Sequence, residues 1–247
     1  MNTEAEAGLV LVAHGTRSGK GVQMIAALAE AVAWELGADG GGHHPGVRTA
    51  FVDVLGPSPG EVLRGLAETS SRPAVVVPAF LASGYHVYQD VPREVADSGH
   101  PSVTVTPAMG PDQALARVMA VRLHAVGWRP GDAVVFAAAG SSDPRARADI
   151  RRAAAMLTAQ LATPVHIAYV ATGAPRVPDV VGTLRAAGRE RVFIASYLLA
   201  HGLFQERLHT AGATAVAGPI GVHPAVVRLI ADRYRAAVRE LGRIEAR

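Results

Sequence analysis

Three side chains have the types and positions to do chemistry: His14, Asp53 and His86. Each follows an apolar run. Leu9-Val10-Leu11-Val12-Ala13 leads into His14-Gly15-Thr16-Arg17, Phe51-Val52 into Asp53, and Val75-Val76-Val77-Pro78-Ala79-Phe80 into the loop Ser83-Gly84-Tyr85-His86-Val87. An imidazole titrates near neutrality, so it can ligate a metal or move a proton; a single histidine in such a turn can equally serve only to cap it. The two histidines stand 72 residues apart and form no local metal motif, so they can meet only through the fold. If they do, Asp53 could be a third ligand or a proton acceptor. Imidazole suits iron, cobalt, nickel and zinc. A site with only two or three protein ligands leaves positions open for exchange, which suits transient handling of a metal.

The elements that must position these residues follow from hydrophobic periodicity. Strands are predicted at 8–13, 47–54, 74–79 and 102–106, with helices at about 19–37, 58–70, 90–98 and 111–127. Short branched-apolar runs alternating with helical segments imply a parallel sheet covered on both faces. With strand order 2-1-3 the first and third strands are neighbours, and their loops leave the same carboxyl edge, where such sheets bind ligands. Gly37–Gly46, with its glycine triplet and His43-His44, reads as a mobile loop; the two histidines are read as solvated, with metal delivery as the alternative. Gly127-Trp128-Arg129-Pro130-Gly131 reads as a linker.

The order then begins again. Ala133–Ala139 with Gly140-Ser141-Ser142 repeats the opening strand and turn, so Gly140 matches Gly15. Val165–Val170 repeats Val47–Val52, Val192–Tyr197 repeats Val75–Phe80, and Ile220-Gly221 with Arg228 matches Met109-Gly110 with Arg117. The expectation is an α/β protein of two duplicated halves, 1–127 and 128–247, each a four-stranded, mainly parallel sheet flanked by helices, with a ligand cleft between them. Opposite His14, Asp53 and His86 the second half has Ala139, Ala171 and Leu203. The first half is therefore read as active and the second as structural or substrate-holding. His201 could line the cleft or hold a turn; His100, His124, His166, His209 and His223 are assigned to the surface or to helix ends.

Composition narrows the class. The chain has 247 residues, 49% of them hydrophobic and 18% charged, and no cysteine. Disulfides, thiolate metal sites and cysteine nucleophiles are excluded, and a reducing cytoplasm fits. The N-terminal segment has glutamates and no basic residue, unlike a signal peptide, and no apolar run approaches the roughly 20 residues of a membrane span. Residues 1–125 hold 8 Lys/Arg against 12 Asp/Glu, and residues 126–247 hold 16 against 9. The positive second half could guide an anionic ligand. Without a basic arm or an aromatic stacking series, a small anion is favoured over nucleic acid.

His14-Gly15-Thr16-Arg17 after a buried strand, Phe51-Val52-Asp53-Val54 followed by Pro57, and Val77-Pro78-Ala79-Phe80-Leu81 running into Gly84-Tyr85-His86-Val87 together resemble the sirohydrochlorin chelatase family, the small class II chelatases. The resemblance covers nearly the whole chain and is to the long bacterial form, in which two half-domains are fused and one keeps the histidines. It implies ATP-independent insertion of Co²⁺ or Fe²⁺, with Ni²⁺ or Zn²⁺ as other candidates, into sirohydrochlorin, in the service of cobalamin or sirohaem synthesis. His14 and His86 carry over as the metal-binding pair. The third position is usually glutamate in the family and is Asp53 here. Insertion removes two pyrrole protons, so the site needs bases as well as ligands. Arg17, Arg93 and Arg145 are candidates for the substrate's carboxylates, since guanidinium pairs with carboxylate bidentately, and Tyr85 is a candidate to pack on the macrocycle. Short forms must pair two chains, so the tandem form is expected to be a monomer. Two other readings stand beside this one: a non-catalytic metal or tetrapyrrole carrier, and a phosphate-binding α/β module with an anion at Gly140-Ser141-Ser142-Asp143-Pro144.

Overall fold

The computed structural model of the chain describes residues 7–39 and 46–245. His43 and His44, and most of the loop expected around them, lie outside these residues; Gly37, expected in that loop, is instead in a helix that runs to Asp39. Among the described residues eight strands form two four-stranded sheets, one from each sequence half. The first has β1 (Gly8–His14), β2 (Val47–Val52), β3 (Ala74–Pro78) and β4 (Val103–Val105) in the order β2-β1-β3-β4. The second has β5 (Ala133–Gly140), β6 (Val165–Thr172), β7 (Val192–Tyr197) and β8 (Ala215–Val216) in the order β6-β5-β7-β8. Every strand pairing is parallel. The crossover helices are α1 (Gly19–Asp39), α2 (Pro59–Thr69) and α3 (Val91–Asp97) in the first half; α4 (Gln113–Ala125) links the two sheets, α5 (Pro144–Leu161), α6 (Val177–Ala186) and α7 (Leu203–His209) are the crossovers of the second, and α8 (Pro224–Glu245) follows its last strand.

The inner strands β1, β3, β5 and β7 read as largely apolar runs because they are buried on both faces. Leu9 through Ala13 are all at most 1% exposed. Alternation sends Val10 and Val12 to the face they share with Val62 and Leu63 of α2 and Val91 of α3. The second sheet has the same plan, with Val135 and Ala137 packed among Val177, Val181 and Leu184 of α6. Helix starts are marked by their caps. Ser58 and Glu61 form a reciprocal capping box on α2, Asp112 caps α4 and Asp143 caps α5.

Several sequence expectations change in three dimensions. The helix expected from residue 90 begins earlier, because a π-helical turn, His86–Asp90, runs directly into α3. Pro92 explains it: proline has no N–H for the Tyr88 carbonyl and its ring would crowd that oxygen, so the preceding turn widens and Val91 N–H bonds back to His86 O. The stretch 127–131 is a packed turn rather than a loose linker. Trp128 is buried with its ring edge-on to His124, and Arg129 N–H and Arg191 both bond Asp132. Sheet register also slides one pairing of the repeat. Leu9 aligns with Val75 and its counterpart Val134 with Phe193, so Val75 corresponds to Phe193 rather than Val192.

Compactness divides the chain differently from the repeat. One unit is 1–80, 85–109 and 226–247; the other is 81–84 and 110–225. Helix α4 thus belongs with the second sheet and α8 with the first. Within the first unit, Tyr234 of α8 donates to Ala7 O at 2.6 Å and Arg235 reaches the Glu35 carbonyl of α1.

Candidate metal centre

His14 is the last residue of β1, aligned with Val52 at the end of β2. The turn after it needs glycine, since a Cβ on Gly15 would lie 2.8 Å from Leu55 N and 3.1 Å from Val52 O. That close approach holds His14 at the carboxyl edge of the sheet with its side chain half-exposed. Asp53 follows β2 in a left-handed conformation, φ 75°, which aspartate tolerates better than most residues. His86 enters from the neighbouring strand β3, at the start of the π-helical turn, with Phe80 stacked on its ring at 6.1 Å.

The fold brings the two histidines together, their ring centroids 5.0 Å apart and nearly perpendicular. In each ring Nδ1 is already engaged. His14 Nδ1 lies 2.9 Å from Gly15 O, and His86 Nδ1 lies 2.6 Å from Asp90 Oδ2. A carbonyl or carboxylate oxygen only accepts, so in the neutral rings Nδ1 carries the proton and Nε2 keeps its lone pair. Two Nε2 donors are thereby presented, one backed by a carboxylate, an arrangement that fixes the tautomer and raises ligand basicity. Asp53 Oδ2 lies 3.6 Å from His14 Nε2, beyond hydrogen-bond length but close enough to interact with the imidazolium or with an ion bound there. Among the described residues no group of three or more His, Asp or Glu side chains forms a ready metal cage. What this arrangement can do is hold a metal through two imidazoles and leave the remaining positions to another ligand.

Asp90 was not anticipated, although its i,i+4 spacing from His86 in a helical stretch was visible in the chain. Its carboxylate is largely buried and also accepts from Arg93 Nη2 at 3.1 Å. Arg93, expected to meet substrate carboxylates, thus has a partner in the protein. Arg145 does too: its Nε and Nη2 bond both oxygens of Asp143, within the second compact unit. Arg17 is exposed in the turn after His14 and makes no ion pair among the described residues. Tyr85 is exposed, its ring edge-on to His86 at 6.1 Å.

The other histidines among the described residues have local partners or lie on the surface. His201 is exposed beside the start of α7. His124 Nδ1 bonds Ala120 O, and His223 Nδ1 accepts from Ala225 N–H. His100, assigned to the surface or a helix end, is partly buried a few residues beyond α3; desolvation lowers its pKa, with its Nδ1 accepting from Ser102 N–H. At the start of α5 the place considered for an anion is filled from within. Asp143 caps the helix and pairs with Arg145, so an incoming phosphate would meet a carboxylate.

A parallel α/β protein with two tautomer-fixed imidazoles at its sheet edge is the class defined so far. The chain belongs to the CbiX family, whose model matches twice, over residues 8–126 and 133–237. It is 22% identical over 249 residues to the sirohydrochlorin ferrochelatase of Priestia megaterium, a match covering 95% of this chain and 91% of that protein. It is 34% identical over 92 residues to the sirohydrochlorin cobaltochelatase of Methanothermobacter thermautotrophicus, which covers 37% of this chain and 59% of the relative. Among solved structures, SirB from Bacillus subtilis with Fe³⁺ superposes with a TM-score of 0.78 at 23% identity, covering 94% of this chain and 96% of that one. Its fold is therefore shared along nearly the whole length.

Proposed function

We propose that this chain inserts a divalent metal, Co²⁺ or Fe²⁺, into sirohydrochlorin without a nucleotide. The observation that carries the reading is the pair of free Nε2 donors on His14 and His86, each ring held by a bond at Nδ1. The family membership and the activities named for the relatives point to the same chemistry. Here the metal is substrate: it is held by His14 and His86 while the macrocycle approaches, and it leaves in the product. Exchange of a divalent ion for two pyrrole protons conserves charge, and those protons need acceptors. The Asp53 carboxylate is placed to take one, and an imidazole released by the metal can take another. A carrier that binds without catalysing would not need Asp53 near the histidines; its 3.6 Å approach to His14 favours the enzyme.

In this reading Arg17 and Tyr85 meet the macrocycle, Arg93 acts mainly by holding Asp90, and Arg145 contributes charge at longer range. Ni²⁺ and Zn²⁺ are further candidate ions for the same ligands. Residues 1–127 and 128–247 are the duplicated halves, and the product serves sirohaem or cobalamin synthesis in the cytoplasm. No helix among the described residues is long and apolar enough to cross a membrane. The chain works as a monomer, a point gel filtration decides. The test of function is an anaerobic spectral assay of sirohydrochlorin with Co²⁺ or Fe²⁺, with and without protein. Faster loss of the free-macrocycle spectrum supports the reading, and the relative rates rank the metals. A bound-ligand shift without faster insertion supports a carrier instead. Asp53→Asn should slow insertion about tenfold or more while retaining Co²⁺ binding.

A further inference from the structure

The loop that delivers His86 is fastened by residues of the other sequence half. Between β3 and the π-helical turn, residues 81–84 are part of the second compact unit. Tyr197, buried at the end of β7, donates its hydroxyl to the Leu81 carbonyl at 2.7 Å. Asp149, on α5 and only 4% exposed, accepts from Ser83 N–H at 2.8 Å and is paired with Arg152. The space around these bonds is closed. A Cβ on Gly110 would lie 2.4 Å from Leu81 O and 2.8 Å from the Tyr197 hydroxyl, and one on Gly84 would lie 3.3 Å from Ala146 Cβ. Burial pushes the Tyr197 phenol well above its usual range, so it stays a donor.

From Gly84 the chain needs only two residues to reach His86, a span of roughly 7 Å at full extension. Little slack separates the fastened loop from the imidazole. The sheet register supplies a second point. Val12 pairs with Pro78 and Ala137 with Ser196, so Tyr197 stands where the first half has Ala79. The half that lacks counterparts of His14 and His86 thus carries a hydroxyl that the first half lacks, and directs it to the loop entering the metal site.

We propose that Tyr197 and Asp149 are positioning residues for His86: by bonding Leu81 and Ser83 they hold the loop from which the imidazole is presented to the metal. This rests on the reading of His86 as a metal ligand. The experiment is a Co²⁺ titration of the full chain, followed by the visible d–d spectrum and accompanied by thermal melting. Tyr197→Phe and Asp149→Ala should each weaken Co²⁺ binding about tenfold and alter the spectrum. Asp149→Asn keeps an oxygen acceptor for Ser83 N–H and should restore near-wild-type affinity, which general destabilisation of the core would not explain. Wild-type affinity and spectrum in folded Tyr197→Phe and Asp149→Ala overturn the proposal. If Tyr197→Phe does not fold, the contrast between the two Asp149 variants decides. His86→Ala in the same titration separates the failures. Unchanged binding there removes His86 as a ligand, whereas lost binding there with unchanged positioning variants removes only the role of Tyr197 and Asp149.

Discussion

The same turn occurs after the first strand of each half, and the two copies are put to different uses. In the first, β1 ends in His14, and the chain at the end of β2 presents Asp53 toward it. In the second, β5 reaches Ala139 and Gly140, and Ala171 stands opposite. There Arg176 donates to the carbonyls of Val170 and Ala171, stapling the turn where the first half leaves a carboxylate. The connection has the same geometry in both: Phe51 N–H bonds Pro57 O, and Tyr169 N–H bonds Pro175 O. After the third strand the contrast repeats. The first half has a π-helical turn carrying His86 and Asp90. The second has a regular helix, α7, whose buried Gln205 ties Ser196 of β7 to the Ala217 carbonyl. One copy of each loop offers polar groups outward; the other satisfies them internally. On the proposed reading, duplication allowed one half to keep reactive groups at the sheet edge while the other turned the same positions to support.

The largest effect that tests this contrast should come from the histidines. His14→Ala and His86→Ala should each lower metal insertion by at least about a hundredfold, while His201→Ala changes it little. Comparable losses in all three would place the working site in both halves. Next is Asp90→Ala, which frees the His86 ring and should weaken Co²⁺ binding about ten- to a hundredfold. Arg93→Ala should act in the same direction and less, because it removes only the group that steadies Asp90.

A matched pair of glycine substitutions separates activity from stability. Gly140 has φ 93°, and a Cβ there would lie 1.8 Å from Thr172 O, so Gly140→Ala should lower stability by about 3 kcal/mol in denaturant titration. Gly15→Ala meets a milder clash and should destabilise less, yet it displaces His14 and should reduce insertion by the folded protein more than Gly140→Ala does. The reverse order of activities would count against His14. The smallest effect concerns the turn joining the halves. Arg191 bonds Asp132 and holds its carboxyl pKa below the ordinary 3.8. The ionised form is thus favoured by folding, and its contribution is present above pH 3.8 and lost as pH falls through the lowered value. Asp132→Asn should be slightly less stable than wild type at neutral pH, with the deficit shrinking in acid and activity unaffected.

Much of this was legible before the fold was known. Buried parallel strands leave long branched-apolar runs, and their loops leave glycine and a polar residue, so Leu9–Ala13 and Val75–Val77 could be placed by periodicity alone. His14 and His86 could be nominated because strands one and three are neighbours in any 2-1-3 sheet. Asp90 was missed because a carboxylate four residues from a histidine is common on helices. Here the helical turn brings the Asp90 carboxylate onto His86 Nδ1. The roles expected of Arg93 and Arg145 looked equivalent in sequence, where any arginine can meet a substrate; packing gave each a carboxylate of its own.

By itself the amino-acid order determined the two α/β repeats, their parallel strands and the half that holds His14 and His86. These follow from local periodicity and side-chain type, which are written residue by residue. Tertiary structure alone decided that α4 joins the second compact unit and α8 the first, that Asp90 orients His86, and that Tyr197 and Asp149 fasten its loop. Such choices depend on which buried donor finds which acceptor across 66 or 116 residues of chain, and no local pattern encodes that pairing.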